Sequence, residues 1–317
     1  MTQYLIRRAL QSILILFIIS VILFGLVSSF PGGIMASYEE NPDYTAEDYA
    51  RLRAKYGLDQ PVPVRYARWL GSMLQGDWGN SFVTRRPALQ EIADRLPNTM
   101  LLMGVGFIVT LVIAIPIGII SALKQYSLLD NIITTLAFAG QSLPVFWFGL
   151  LLIIVFHVKL GWLPGAGMMT LGAEFSLIDR VKHLVLPVTM ISLVTAAGYV
   201  RYTRSSMLEV INQDYLRTAR AKGLYEQTVV LRHALRNALI PVVTLLALDV
   251  PYLFGGALFT ETIFGWPGMA RLFFDSALKP DIPVIMAVLM IFSALIVVSN
   301  LLVDVIYVLL DPRIRLS

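Results

Sequence analysis

Residues 98–123 read NTMLLMGVGFIVTLVIAIPIGIISAL, inside a stretch of 28 residues between Arg95 and Lys124 that holds no Asp, Glu, Lys or Arg. The hydrocarbon core of a bilayer is about 30 Å thick and a helix rises 1.5 Å per residue, so about 20 apolar residues cross it. Backbone N–H and C=O groups cannot stay unpaired in lipid, so such a run must be helical. The same rule applied outward finds runs at 9–30, 131–157, 184–201, 238–260 and 282–304, the fifth of the six spans being interrupted by Asp249. The predicted fold is all-α: a polytopic membrane protein with six transmembrane helices.

Composition agrees. The 317 residues are 57% hydrophobic and 15% charged, with a mean hydropathy of +0.72. Soluble domains are nearer 45–50% apolar and about 25% charged. Zero cysteines exclude disulfides and thiolate metal sites. A formal charge of +4 without a long basic stripe argues against nucleic acid as a partner.

Six spans place both termini on one side. With the N-terminus in the cytoplasm, the cytoplasmic segments hold 12 Lys and Arg against 5 in the opposite short loops, so N- and C-termini are expected to be cytoplasmic. Arg7 and Arg8 precede the first run, which is longer than a signal-peptide core of about 7–15 residues, so cleavage near Met35-Ala36 is not expected. Three segments follow: 1–30, the N-terminus and first span; 31–97, an external loop with short helices; and 98–317, a core of spans two to six that includes the cytoplasmic loop 202–237.

In the external loop, TAEDYARLRAKYGLD reads as a helix capped by Thr45, with Glu47 and Asp48 in its first turn and Gly57 as its stop. Trp69 and Trp78 lie in an amphipathic run suited to the lipid interface, as are Trp147, Trp162 and Trp266. Pro116, Pro144, Pro187, Pro241 and Pro251 interrupt runs, as kinks or as openings toward a water-filled path. The pairs Gly104/Gly106 and Gly255/Gly256 permit close helix contact.

The loop RYTRSSMLEVINQDYLRTARAKGLYEQTVVLRHALRN (201–237) is the most informative segment. Asp214 is read as the cap of a short helix from Tyr215 to Lys222, with Arg220 and Lys222 at its negative end and Gly223 as its stop. Tyr215, Leu216 and Ala219 form an apolar strip suited to a partner's groove. A basic loop that only follows the membrane surface fits the composition equally well.

DYLRTARAKGL followed by HALRNALIPV resembles the cytoplasmic coupling-loop motif of binding-protein-dependent ABC transporter permeases. That pattern is Glu-Ala-Ala, three residues, then Gly. Arg217, Thr218 and Ala219 occupy the first three places and Gly223 the glycine, while Pro241 lies farther on than the general pattern has it. Both departures are similar to the dipeptide/oligopeptide/nickel branch, as are YLIRRALQSI, GDWGNSF, TETIFGWPGMARL and NLLVDVIYVLLDPRIR. The resemblance runs from near residue 1 to near 317. It implies a type I ABC importer permease fold in the inner membrane of a prokaryote. It further implies a peptide importer made with a second homologous permease subunit, two cytoplasmic ATP-binding subunits and an external substrate-binding protein. The segment from Asp214 through Ala221 and Lys222 to Gly223 would dock the ATPase. No lysine follows a glycine here, so a Gly-Lys-Ser/Thr phosphate loop is ruled out; ATP and Mg would be bound by the partners, with no cofactor in this chain.

Inside the membrane, Asp249 is a solute contact, a gating pair or a structural hydrogen bond. Gln141 and Ser142 either line the path or pack polar groups between helices. Asp304 is read as an interfacial anchor. His157, His183 and His233 are too scattered for a metal site. The rival functions are an ion-coupled carrier or channel using Asp249, an intramembrane hydrolase, and a scaffold. Within an importer, nickel chelates and oligosaccharides are alternative cargoes.

Overall fold

The computed structural model describes residues 2–29, 45, 47, 48, 51, 54, 57–249 and 257–310. Among them every regular element is helical, beside one bridge between Asn80 and Pro87. In chain order the helices are α1 (Thr2–Ser28), α2 (Val62–Leu74), α3 (Ala88–Leu123), α4 (Leu128–Ser142), α5 (Val145–Leu152), α6 (Leu177–Ile211), α7 (Asp214–Ala221), α8 (Leu235–Asp249), α9 (Leu258–Ile263), α10 (Met269–Leu278) and α11 (Ile282–Leu310). A π-helical stretch, Ile153–Lys159, continues α5, and Glu226–Thr228 with a second one, Val229–Ala234, leads into α8.

Five helices among the described residues are long and apolar enough to cross a membrane: Ile6–Ser28, Ala88–Leu123, Leu177–Ile211, Glu226–Leu246 and Ile282–Val303. The expected third span, 131–157, is not one rod. It is α4 followed by α5 and its π-helical extension, bent by 103° at the break. The cause is local. Leu143 precedes a proline and sits extended at φ −77°, ψ 130°, and Pro144 has no N–H to continue the ladder. The fourth predicted span, 184–201, is part of the longer α6, whose N-terminus is set further out by Ser176, which accepts from the Asp179 N–H and caps it. Pro187 and Pro241 are accommodated within α6 and α8. Pro251, Gly255 and Gly256 fall outside the described residues, as do Met35-Ala36 and the side chain of Asp304.

The chain divides into two compact units, residues 1–99 with 267–317, and residues 100–266. In the first, α1 packs on α11 and on α2. The Ser20 and Tyr66 hydroxyls lie 2.8 Å apart, and the Phe24 ring meets Tyr66 and Trp69 at 5.6 and 5.5 Å. The amphipathic run around Trp69 therefore covers a span. Ala88, Ile92, Met269, Leu272 and Val288 form the core. Asp281, buried, accepts from the Ser81 hydroxyl and, at 2.9 Å, from the Phe82 N–H. Thr45 caps as expected, accepting from the Asp48 N–H at 3.3 Å, and the Thr45 N–H and hydroxyl donate back to the Asp48 carboxylate at 3.0 and 2.6 Å. These bonds hold the Asp48 carboxyl below its ordinary pKa.

In the second unit α6 is central and packs against α4, α5 and α8. Trp266 is fully buried beside Leu102 and Val188, which corrects its interfacial assignment; Trp147 and Trp162 are exposed. Of the glycine pair in α3, only Gly106 is in close contact: a Cβ there would meet Ile191 at 3.0 Å, whereas Gly104 faces open space. The tightest approach is at Gly118, where a Cβ would lie 2.6 Å from Thr203 Cβ and 2.9 Å from the Val200 carbonyl. Overpacking of this kind costs about 1–3 kcal/mol. Gly118→Ala should lower the thermal midpoint of the purified protein by several degrees, whereas Gly104→Ala should leave it within a degree or so. Equal midpoints for the two variants would show that the Gly118 contact carries no load.

Candidate functional site

The loop after α6 builds a short rigid helix. Gln213 is extended at φ −74°, ψ 149° and occupies the N-cap position, so Asp214 is the first helical residue and not the cap. Its carboxylate is exposed, favours the positive helix end and lies 3.6 Å from Arg217. At the other end Gly223, at φ +77°, takes the left-handed conformation that a side chain would oppose. It lets the Gly223 N–H donate to the Arg220 carbonyl at 2.9 Å and the Leu224 N–H to the Ala219 carbonyl at 3.4 Å, closing α7 in a Schellman turn. Arg220 clasps the next helix, donating to both Glu226 oxygens at 3.1 and 2.9 Å. That bond holds the guanidinium above its ordinary pKa. Asn237 donates to the Tyr215 hydroxyl at 2.7 Å.

The apolar strip of α7 is not offered to a partner, which corrects the sequence expectation. Leu216 is 0% and Ala219 9% exposed, both packed in the chain's own core with Ala122, Met207, Val229, Val230 and Ala234. Tyr215, the third residue of the strip, is exposed, with its hydroxyl tied to Asn237 of α8. The π-helical turn Val229–Ala234 and the end of α3 supply apolar surface that covers the strip first. What remains outward is mostly polar: Asp214, Arg217, Thr218 and Lys222, with the small Ala221 between them. Burying Leu216 stabilises this seat by about 1.5–3 kcal/mol.

Sequence reasoning missed a charged clamp beside that seat. Asp130, 2% exposed, receives Arg204 Nε at 2.7 Å and Nη2 at 2.8 Å, a bidentate pair. The Ser121 hydroxyl also donates to it, as does the Tyr126 N–H at 2.9 Å. Ser121 precedes Ala122 on α3, and Arg204 precedes Met207 by about one turn on α6, so neighbouring residues serve clamp and seat. The signal in the sequence was charge at the edges of apolar runs, which marked span limits and concealed the pairing.

The three pathway candidates are not brought together. Asp249 accepts from the Tyr199 hydroxyl, through one of its two oxygens. Gln141 Oε1 accepts from Arg201 at 2.7 Å, and that guanidinium also lies over the Phe138 ring at 5.2 Å. Tyr199 and Arg201 are two positions apart on α6, about 200° around its axis, so the two pairs face different sides. The Ser142 hydroxyl donates to the Phe138 carbonyl, a local helix bond. His157 and His183 contact the Leu163 and Asp179 carbonyls at 3.0 and 2.9 Å. No group of three His, Asp or Glu among the described residues is placed to hold a metal.

Long apolar helices, one broken span and a short helix seated on its own unit describe a polytopic membrane protein. Residues 114–316 match the family described as binding-protein-dependent transport system inner membrane component, and residues 1–103 match its N-terminal region. The chain belongs to this family. It is a multi-pass inner-membrane component of a prokaryotic transport system and not an enzyme. It is 48% identical to the oligopeptide transport system permease protein AppB of Bacillus subtilis, over 99% of this chain and 100% of that one. It is 41% identical to the glutathione transport system permease protein GsiC of Escherichia coli K12, over 99% of each. A chain of the methionine ABC transporter MetNI, solved in inward-facing conformations, shares the fold: TM-score 0.56 at 16% identity, over 70% of this chain and 97% of that one.

Removing one partner of a buried ion pair costs about 3–5 kcal/mol, because the other charge stays behind uncompensated. Arg204→Ala should therefore sharply lower the thermal midpoint and the amount of protein recovered from membranes. Replacing both partners, as Asp130→Asn with Arg204→Met, should restore most of the loss. A double variant as unstable as Arg204→Ala would contradict the clamp.

Proposed function

We propose that this chain is one of two pore-forming permease subunits of an ABC importer for peptides. Full-length identity to an oligopeptide permease and a glutathione permease supports that cargo class. In this reading two cytoplasmic ATP-binding subunits dock on the permease pair and an external binding protein delivers the solute. The excess of Lys and Arg in the loop 201–236 supports a cytoplasmic N- and C-terminus and six crossings, with the bent α4–α5 pair as the third.

The observation that carries the proposal is the construction of α7. Its apolar face is locked into the chain and its polar face is free, so a push on the polar face moves the body of the unit and not the helix alone. Arg217 and Lys222 offer charged donors, and Thr218 and Ala221 leave room for a partner's surface. The ATPase contact is thus assigned to Asp214, Arg217, Thr218, Ala221 and Lys222, with Tyr215, Leu216, Ala219 and Arg220 holding the helix in place and Gly223 ending it. ATP and its Mg are bound by the partners. Closure of the ATPases would rock the spans between inward-open and outward-open states. Asp249, with one oxygen left beyond its Tyr199 bond, is the favoured solute contact, ahead of Gln141 and Ser142.

In proteoliposomes of the assembled transporter, Ala221→Glu should reduce oligopeptide-stimulated ATPase activity and uptake about tenfold, the equivalent of about 1.4 kcal/mol at the docking face, with normal membrane insertion. Ala219→Arg should instead prevent stable folding, because it drives a charge into the core. Wild-type uptake by Ala221→Glu would sink the docking assignment. Asp249→Asn should change the substrate concentration needed for half-maximal stimulation; an unchanged value would leave the Tyr199 bond as its whole role.

A further inference from the structure

The first unit holds an open-sided cavity of about 410 Å³. Phe24, Val27 and Ser28, from the last turns of the α1 span, line one part of it, and Ile282, Pro283 and Met286, from the start of the α11 span, line another. Two membrane spans thus end at the same cavity. That places it at the depth where hydrocarbon gives way to headgroups, the depth that Trp69 and Trp78 in its wall also favour.

A second wall is one face of α2. Arg65, Arg68, Trp69 and Ser72 follow the spacing i, i+3, i+4, i+7 and all line the cavity. Arg65 lies over the Phe24 ring at 5.9 Å. Neither arginine forms an ion pair with a carboxylate among the described residues. Asp77 faces the cavity from the turn after α2 and accepts from the Gly79 N–H at 3.0 Å. Gln60 contributes a buried Oε1 that accepts no hydrogen bond among the described residues. Further along the face of α1 that carries Phe24 and Ser28, the side chains of Phe17 and Val21 are exposed.

We propose that this cavity binds the headgroup of a zwitterionic, amine-bearing phospholipid of the phosphoethanolamine type. The phosphate diester carries one negative charge and suits the two guanidinium groups, which bind phosphate by paired N–H donors. The ammonium supplies the donor that the Gln60 oxygen lacks and a counter-charge for Asp77. The acyl chains continue along the exposed apolar residues of α1. A small soluble zwitterion would satisfy the charges and leave the apolar approach unused. The bound lipid would tie α1, α2 and α11 together at their common end.

The test uses the intact transporter, purified in mild detergent, stripped of lipid and titrated with dioleoylphosphatidylethanolamine or dioleoylphosphatidylglycerol, with retained lipid counted by native mass spectrometry. The ethanolamine lipid should be retained in preference to the glycerol lipid. Arg65→Ala with Arg68→Ala should weaken retention about tenfold or more, and Asp77→Asn should abolish the preference between the two lipids. A photoreactive phosphatidylethanolamine should cross-link to residues 57–79 of the unmodified chain, a readout independent of how the variants fold. Unchanged retention in the arginine double variant, or cross-links confined to other segments, would overturn the proposal. Glycerophosphoethanolamine or a dipeptide competing at concentrations equal to the lipid's would overturn the lipid assignment in favour of a soluble ligand.

Discussion

In lipid each backbone N–H and C=O must find its partner inside the chain, and the rest of this structure follows from that demand. It makes each of the membrane-crossing segments among the described residues a helix. It also limits where a helix can break. The sharp bend at Leu143-Pro144 falls where proline has already removed a donor, so the turn wastes one fewer hydrogen bond than it would elsewhere. Polar side chains within the spans meet the same demand by pairing across helices: Asp130 with Arg204, Asp249 with Tyr199, and Gln141 with Arg201. Each of these pairs has α6 as one side, which is why that helix organises its unit.

The clamp and the seat of α7 form one mechanical assembly. Ser121 bonds Asp130 while the adjacent Ala122 packs in the core that holds Leu216. Arg204 pairs with Asp130 while Met207, on the next turn, covers Leu216 and its neighbours. The Schellman turn at Gly223 and the Arg220–Glu226 pair then fix the far end of α7. A short helix would be marginal alone in water. Here its geometry is enforced from both ends and from beneath, which suits a part that must pass on displacement without absorbing it.

Much of this was legible in the sequence, and the parts that were not share a cause. Apolar runs between charges identify the spans because the hydrocarbon thickness imposes a length on them. Gly223 was legible because a left-handed helix stop calls for glycine. The amphipathic pattern of α7 showed that Leu216 and Ala219 would be covered, but periodicity says nothing about whether the cover comes from the same chain or another. Asp130 and Arg204 lie 74 positions apart, and each reads locally as a charge at a membrane edge. Trp266 was assigned to an interfacial belt by residue type, whereas its surroundings of Leu102 and Val188 come from other helices. Local signals thus identified element types, while several helix ends and the pairings between distant segments needed the fold.

The central claim is that α7 is locked by its apolar face and meets the ATPase with its polar face. The chain contains no cysteine, so single cysteines can be placed without background. Thr218→Cys and Ala221→Cys should react with a soluble maleimide in the isolated permease, lose that reactivity in the assembled transporter and cross-link to the ATP-binding subunit. Leu216→Cys should remain unreactive in both states. Cross-linking through Leu216→Cys, or full labelling of Thr218→Cys and Ala221→Cys in the assembled transporter, would contradict the account.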